Sequence, residues 1–262
     1  MTPPLLELRN VTVCRGRTTA LREVSLSIAA GEHVAILGPN GSGKSTLIKA
    51  IARECYPMAL PGMVFSIFGE ANWDVFRLRR RLGIVTFDLA EACHQELTGR
   101  EVVLSGFFSG IGLWQNHHVT PVMEQRAAAV LAVLEANHLA ERLMTEMSSG
   151  EARRLLIARA LVHQPAALLL DEPTTSLDLR ATHELREVLR QLARQGTGLI
   201  LVTHHLHEIV PEIERVILLR AGEVIGDGSK SAMLNPERLE ALFGLPVQVR
   251  QENGYYQVQT QG

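Results

Sequence analysis

A short buried-strand pattern, His33 to Leu37, runs directly into Gly38-Pro39-Asn40-Gly41-Ser42-Gly43-Lys44-Ser45-Thr46, and helix-forming residues continue to about Arg53. This stretch matches the loop GxxxxGK[ST] in full and has the strand before it and the helix after it that such a loop requires. Strand, Gly-rich loop and helix in that order form the mononucleotide-binding unit. The glycines let backbone N–H groups turn inward around phosphate oxygens, and the helix that follows points its positive end at the same place. Lys44 adds a point charge toward the outer phosphates, and Ser45 offers a hydroxyl to Mg2+. A Gly-rich turn without chemistry is the alternative, and the flanking strand and helix weigh against it.

A nucleoside triphosphate with Mg2+ needs a second carboxylate on the metal side and a group that activates water. Leu168-Leu169-Leu170-Asp171-Glu172-Pro173 supplies both. Asp171 ends a predicted buried strand and is expected to hold Mg2+ through water. Glu172, one residue on, is placed to accept a proton from the attacking water. Its position beside Asp171 and the γ-phosphate is expected to raise its pKa.

Around these motifs, apolar alternation from Leu5 to Ile28, interrupted at Arg15-Gly16-Arg17, predicts an antiparallel hairpin lobe. From about Leu97 to Val162 apolar residues recur at helical spacing, which predicts a helical lobe carrying a Gly- and aromatic-rich piece, Ser105 to Trp114. After it the pattern predicts a strand at Ala167 to Leu170, a helix at Arg180 to Gln195 and a strand at Gly198 to Val202. A helix near Leu206 to Val210 and a strand at Arg215 to Leu219 follow, with a tight turn at Ala221-Gly222. The last stretch is expected to hold a short helix ending near Phe243-Gly244 and a hairpin around Asn253-Gly254. Strands alternating with helices imply an α/β fold, a mostly parallel sheet covered on both faces. The expected organisation is one domain over 1–262. Residues 5–87 and 163–234 form the nucleotide-binding core with its β lobe, 88–162 the helical lobe, and 235–262 a C-terminal extension.

Composition excludes some partners. With 26 Lys+Arg against 28 Asp+Glu, the net charge of -2 removes the whole-chain electrostatic reason to expect a nucleic-acid partner. No run of about 18 apolar residues exists that could span a membrane, so no direct membrane insertion is expected. The start, Met1-Thr2-Pro3-Pro4, lacks the basic and apolar pattern of a secretory signal. Cys14, Cys55 and Cys93 make no CxxC pair, which favours free thiols in a reducing compartment.

Met147-Ser148-Ser149-Gly150-Glu151 lies upstream of the Asp171 strand and runs into a helix containing Arg153, Arg154 and Ala158-Arg159-Ala160-Leu161. Here the chain resembles the ATP-binding cassette (ABC) ATPases, whose signature reads L-S-G-G-Q at this place. The resemblance covers nearly all of residues 5 to 230 and extends to Ser176-Leu177-Asp178, similar to the D-loop, and Thr203-His204, similar to the switch histidine. It implies a P-loop NTPase core with an N-terminal antiparallel β lobe and an inserted helical lobe. It also implies ATP and Mg2+ as ligands, and a head-to-tail homodimer in which ATP on the Gly-rich loop of one subunit is closed by the signature of the other. Ser148, Ser149 and Gly150 sit at a predicted helix N-terminus, so hydroxyls, N–H groups and the helix dipole are expected to form a second anion site. His204 is expected to hydrogen-bond the γ-phosphate and orient the water of Glu172, donating while neutral.

Three positions depart from the family pattern. Phe87, followed by Asp88, stands where a glutamine usually meets Mg2+ and water, and Gln95 is too far along to replace it easily; either Asp88 serves there, or hydrolysis is slower and this link to the partner works differently. Arg15 stands where an aromatic ring usually stacks on adenine, and its guanidinium plane is the expected base contact. Ser149 and Glu151 replace Gly and Gln in the signature, and Glu151 brings negative charge near the phosphates. His205, His207, His117 and His118 are read as structural or surface residues, because no metal-binding frame accompanies them.

The function implied is that of the energy-coupling ATPase of an ABC transporter. Its membrane-spanning subunit is expected to be a separate chain, and this one to sit peripherally on the cytoplasmic face. The alternatives are a soluble ABC ATPase acting in repair or translation and a low-turnover nucleotide switch. The interval from Lys44 to Ser148 is too short for the long coiled coil of repair members, and only one cassette is present.

Overall fold

The computed structural model describes residues 3–260, so Met1, Thr2, Gln261 and Gly262, which bound the expected domain and include the first residues of the start read above, lie outside it. In chain order the first elements are β1 (Leu6–Arg15), β2 (Thr18–Ile28), β3 (His33–Leu37), α1 (Lys44–Ile51), β4 (Val64–Ile67), α2 (Val75–Arg81), β5 (Leu82–Val85) and α3 (Phe87–Cys93). Next come α4 (Gly99–Ser105), α5 (Pro121–Val133), α6 (Ser149–Leu161), β6 (Ala167–Asp171), α7 (Leu179–Arg194), β7 (Gly198–Thr203), β8 (Arg215–Arg220) and β9 (Glu223–Ser229). The chain closes with α8 (Lys230–Met233), α9 (Pro236–Phe243), β10 (Val247–Glu252) and β11 (Tyr255–Thr260).

Six strands make the central sheet in the order β5-β6-β7-β3-β8-β9, parallel except for the β8–β9 pair. A separate antiparallel sheet, β2-β1-β4, is the N-terminal lobe, and β10-β11 form an isolated hairpin. Successive residues of a strand point to opposite faces, and here both faces are covered. Val34, Ile36, Leu169 and Val202 join the core shared with α1 and the β lobe. Ala35, Leu37, Leu170 and Leu201 join the core shared with α4 to α7, α9 and the C-terminal hairpin. The uninterrupted apolar character of β3, β6 and β7 follows from this two-sided burial.

Several details differ from the sequence expectation. Helix α1 stops at Ile51 rather than Arg53, where the backbone turns left-handed at φ 63. Leu206 to Val210 is a single 3-10 turn, Leu206–Glu208, held before its start by His205 N–H on the Thr203 hydroxyl at the end of β7 and at its end by Glu208 on Thr174. The strand β4 and the helices α2, α3 and α8 lie in stretches read without elements; α2, α3 and α8 are short and are begun by the side-chain caps Asp74, Thr86 and Ser229. Both predicted tight turns are present, with positive φ at Ala221-Gly222 (49°, 84°) and Asn253-Gly254 (50°, 80°). Among the described residues no helix is long and apolar enough to cross a membrane.

Candidate active site

Strand β7 lies between β3 and β6, in register so that Leu37 pairs with Thr203 and Val202 with Asp171. The segments that leave the carboxyl ends of these three strands therefore emerge side by side: the Gly-rich loop, Asp171-Glu172 and His204. Parallel sheets bind their ligands at this edge.

The loop is tied on both sides. Gly38 N–H donates to Thr203 O (3.2 Å), and Gly222 N–H donates to Ser42 O (2.8 Å). A Cβ on Gly38 would lie 2.2 Å from Leu219 O, and Gly43, at φ 106°, would press on Ala20 O at 2.7 Å. These two glycines are therefore required by close backbone approach as well as by turn geometry. Helix α1 begins at Gly43 with no side-chain cap and no acidic residue in its first turn, so its N–H groups and dipole remain available to an anion. Lys44, 5% exposed, donates from Nζ to Gly38 O (2.8 Å) and Pro39 O (3.0 Å) and lies 3.7 Å from Glu172 Oε1. Burial lowers its pKa, while Glu172 and Asp171 pull the other way.

Asp171, Glu172, Ser45, Asn40 and Thr175 line one cavity of about 350 Å3, whose far wall is Thr86, Phe87 and Asp88. Burial, and then the neighbouring Glu172 charge, push the Asp171 carboxyl up to about 6. The shift follows from position: Asp171 is the last residue of a core strand, so its carboxyl is desolvated. A half-buried carboxylate next to a second carboxylate, in a cavity also lined by the hydroxyl-bearing Ser45, is a site a divalent cation would relieve, so the donor set fits Mg2+. This has a measurable consequence. Asp171 contributes stability that is present below its unfolded value of 3.8 and is lost as pH rises through about 6. With a chelator present, Asp171→Asn is expected to be more stable than the parent at pH 7, with the difference vanishing below pH 4; urea unfolding across that range checks it.

Glu172 adopts φ 43°, a left-handed conformation rare for a non-glycine residue, and its N–H donates to Val202 O at 2.8 Å. That backbone turn aims its carboxylate away from the sheet and onto His204, whose Nδ1 lies 2.8 Å from Oε1. With Glu172 ionised, the Nδ1 proton is committed to Oε1, and the opposite ring nitrogen can then donate to a phosphate only as imidazolium. The expectation that a neutral His204 suffices holds only if Nδ1 releases Glu172.

The signature residues lie elsewhere. Ser148, Gly150, Glu151 and Asp178 line a second, larger cleft of about 890 Å3 that shares no residue with the first. Ser148 caps α6 in a reciprocal box: its Oγ accepts from Glu151 N–H (3.3 Å), and Glu151 Oε2 accepts from Ser148 N–H (2.8 Å) and Oγ (2.8 Å). Arg142 pairs with Glu151 at 2.7 Å. Burial acts to raise the Glu151 pKa, but the Ser148 bonds and Arg142 outweigh it and hold the carboxyl low. The negative charge expected at this helix start is therefore engaged, and so is the Ser148 hydroxyl, while Ser149 is exposed. The S-x-x-E spacing that announces this box is visible in the sequence; the Arg142 partner is not. Asp178 caps α7 through Ala181 N–H (2.7 Å), and Gly150 packs so closely on Ala181 that a Cβ would sit 2.7 Å away.

Asp88 reaches back to Lys49 (3.0 Å), and Phe87, 48% exposed, begins α3 because Thr86 caps it. Gln95 folds onto Ala92 O and takes no part. Arg15 is exposed at the end of β1 and lines neither cleft. In the aromatic piece, Phe107, Ile111 and Leu113 pack on the core while Trp114 stays 67% exposed.

A Gly-rich loop, a paired Asp-Glu and a histidine on the carboxylate, all at one edge of a parallel sheet, define a P-loop nucleotide hydrolase of the ATP-binding cassette type. The profile described as "ABC transporter" matches residues 21–175. An ABC transporter ATP-binding protein of Bacillus subtilis, YlmA, is 33% identical over 94% of this chain and 93% of its own. The hemin import ATP-binding protein HmuV of Plesiomonas shigelloides is 33% identical over 92% of this chain and 95% of its own. A solved dimeric structure of the ATP-binding cassette MJ0796, in a post-hydrolysis state bound to ADP and Pi, superimposes with TM-score 0.70 at 29% identity, covering 86% of this chain and 98% of that one. The chain belongs to the ABC transporter family, and it is an ATPase.

Proposed function

We propose that two copies of this chain close head to tail over two ATP molecules and that hydrolysis there drives a transporter whose membrane-spanning subunit is another polypeptide. The observation that carries the reading is the Glu172–His204 contact of 2.8 Å beside Lys44, at the mouth of the Gly-rich loop. Glu172 takes the proton of the attacking water, and His204 holds Glu172 and faces the γ-phosphate. Lys44 and the α1 N-terminus would hold the outer phosphates, and Ser45 and Asp171 would hold Mg2+, which when bound would neutralise charge on the phosphate oxygens. Arg15, at the free end of β1, is the proposed base contact. The signature of one copy, with Ser149, Gly150 and Asp178, completes the site of the other. Two clefts with no shared residue support that division, because one chain does not bring both anion sites together. The dimeric cassette of similar fold supports it as well.

A groove between the sheet core and the helical lobe, lined by Arg79, Gly83, Leu89, Ile111 and Arg159, suits the membrane-spanning subunit. It adjoins Thr86 and Asp88, which also wall the Asp171 cavity, so a partner seated there senses the nucleotide. On this reading the chain works peripherally at the cytoplasmic face.

Complementation tests the sandwich. Lys44→Ala disables a Gly-rich loop, and Ser149→Asp puts a carboxylate where the partner's γ-phosphate arrives; each variant alone is expected to be inactive. Mixed, they form a heterodimer with one intact composite site, so ATP hydrolysis returns. A mixture as inactive as its parts would refute the head-to-tail arrangement.

A further inference from the structure

We propose that His205 is a positioning residue for His204, its ring backed by His207 under the C-terminal hairpin. The inference rests on the role assigned to His204 above. The His204 and His205 rings lie 3.7 Å apart between centroids, tilted by 40°, and His207 continues the stack at 5.0 Å and 29°. No metal explains the cluster: among the described residues, no three His, Cys, Asp or Glu side chains are grouped to hold one.

The backbone that carries the stack is fixed at both ends. His205 N–H donates to Thr203 Oγ1 (2.8 Å), and Thr203 is fully buried at the end of β7. Three residues on, Glu208, 1% exposed, accepts from the N–H (3.2 Å) and hydroxyl of Thr174 in the turn after Glu172. The turn between these anchors has little freedom, which leaves the three rings in contact.

His205, His207, Arg186 of α7 and Gln257, Val258 and Gln259 of β11 line one cleft beside His204. The hairpin that brings β11 there is anchored by Val247 and Tyr256 in the core and by Lys230, whose Nζ donates to Val210 O (3.2 Å), Pro211 O (3.1 Å) and Gly254 O (3.4 Å). Burial and the adjacent His204 lower the pKa of His205; burial and Arg186 take His207 to about 4. Both rings are therefore neutral near pH 7 and add no positive charge behind His204.

A single hydrogen bond from Nδ1 to Glu172 leaves an imidazole free to tilt about that bond, since its terminal torsion is broad. The His205 ring packed beside it at 3.7 Å restricts that tilt, which matters where misplacement of a reacting group costs about 10²-fold in rate. The test is steady-state ATP hydrolysis by the full chain, with nucleotide binding and melting temperature measured alongside. His205→Ala and His205→Asn remove the flat ring and are expected to lose about 10-fold in kcat with KM within about 2-fold, the signature of lost positioning. His205→Phe, which keeps a planar ring, is expected to restore most of the rate. Wild-type turnover in His205→Ala with His204→Ala inactive would overturn this inference alone. Phe losing as much as Ala would also overturn it. Wild-type turnover in His204→Ala would overturn this inference together with the reading on which it rests.

Discussion

Glu172→Gln is expected to bind ATP but to hydrolyse it about 10²–10⁴-fold more slowly, the usual contribution of a positioned general base. The substitution changes little else. Glutamine has the same shape, keeps an oxygen for the His204 Nδ1 bond, and leaves the N–H of residue 172 free to donate to Val202 O as before. It also removes the second of the two main influences that raise the Asp171 pKa, so Asp171 ionises more readily and its hold on Mg2+ does not weaken. Binding is therefore expected to survive while turnover fails, and on the proposed head-to-tail closure the two-copy state is expected to accumulate with ATP. Single-turnover hydrolysis, nucleotide binding and sedimentation of the variant in Mg-ATP check the three parts. Wild-type turnover would remove Glu172 from the base role.

Lys44→Ala fails differently. The ammonium group is buried in the loop that it serves, on the carbonyls of Gly38 and Pro39 and within 3.7 Å of Glu172. Its lowered pKa shows that the charge is held at a desolvation cost, which a phosphate would offset. Removing it deletes a positioned charge aimed at the transferred group, at a cost of about 10²–10³-fold in rate. If Lys44 also meets ground-state ATP, as proposed, KM is expected to rise together with the loss in kcat, unlike in Glu172→Gln. Steady-state kinetics and nucleotide titration separate the two variants. Retained binding and turnover would refute the phosphate-loop assignment.

Most of the fold is legible in the sequence because its elements announce themselves locally. Apolar runs that are buried on both faces mark β3, β6 and β7. Gly38 to Thr46 marks the loop, and the dipeptides at 221–222 and 253–254 mark two turns. Among the elements that escape notice, β4 is only four residues long, and α2, α3 and α8 are too short for helical periodicity; Asp74, Thr86 and Ser229 begin those helices as caps, a signal that fits many loops equally well. The absence of glutamine at the expected site is plain from the sequence, but that Asp88 pairs with Lys49 depends on where α3 begins.

What the sequence determined by itself is the chemistry available: a Gly-rich loop with Lys44 and Ser45, the Asp171-Glu172 carboxylate pair, His204 after Thr203, and Ser148 to Glu151 at a helix start, each written in contiguous residues. Tertiary structure alone decided how those groups are charged and paired. Register across β3, β7 and β6 sets His204 on Glu172, and depth of burial raises the pKa of Asp171. Arg142 neutralises Glu151, and the C-terminal hairpin reaches the histidine stack, through contacts between residues distant in the chain. Such contacts leave no local pattern, because a desolvation penalty or an ion pair depends on what the fold brings alongside a residue and not on its neighbours in sequence.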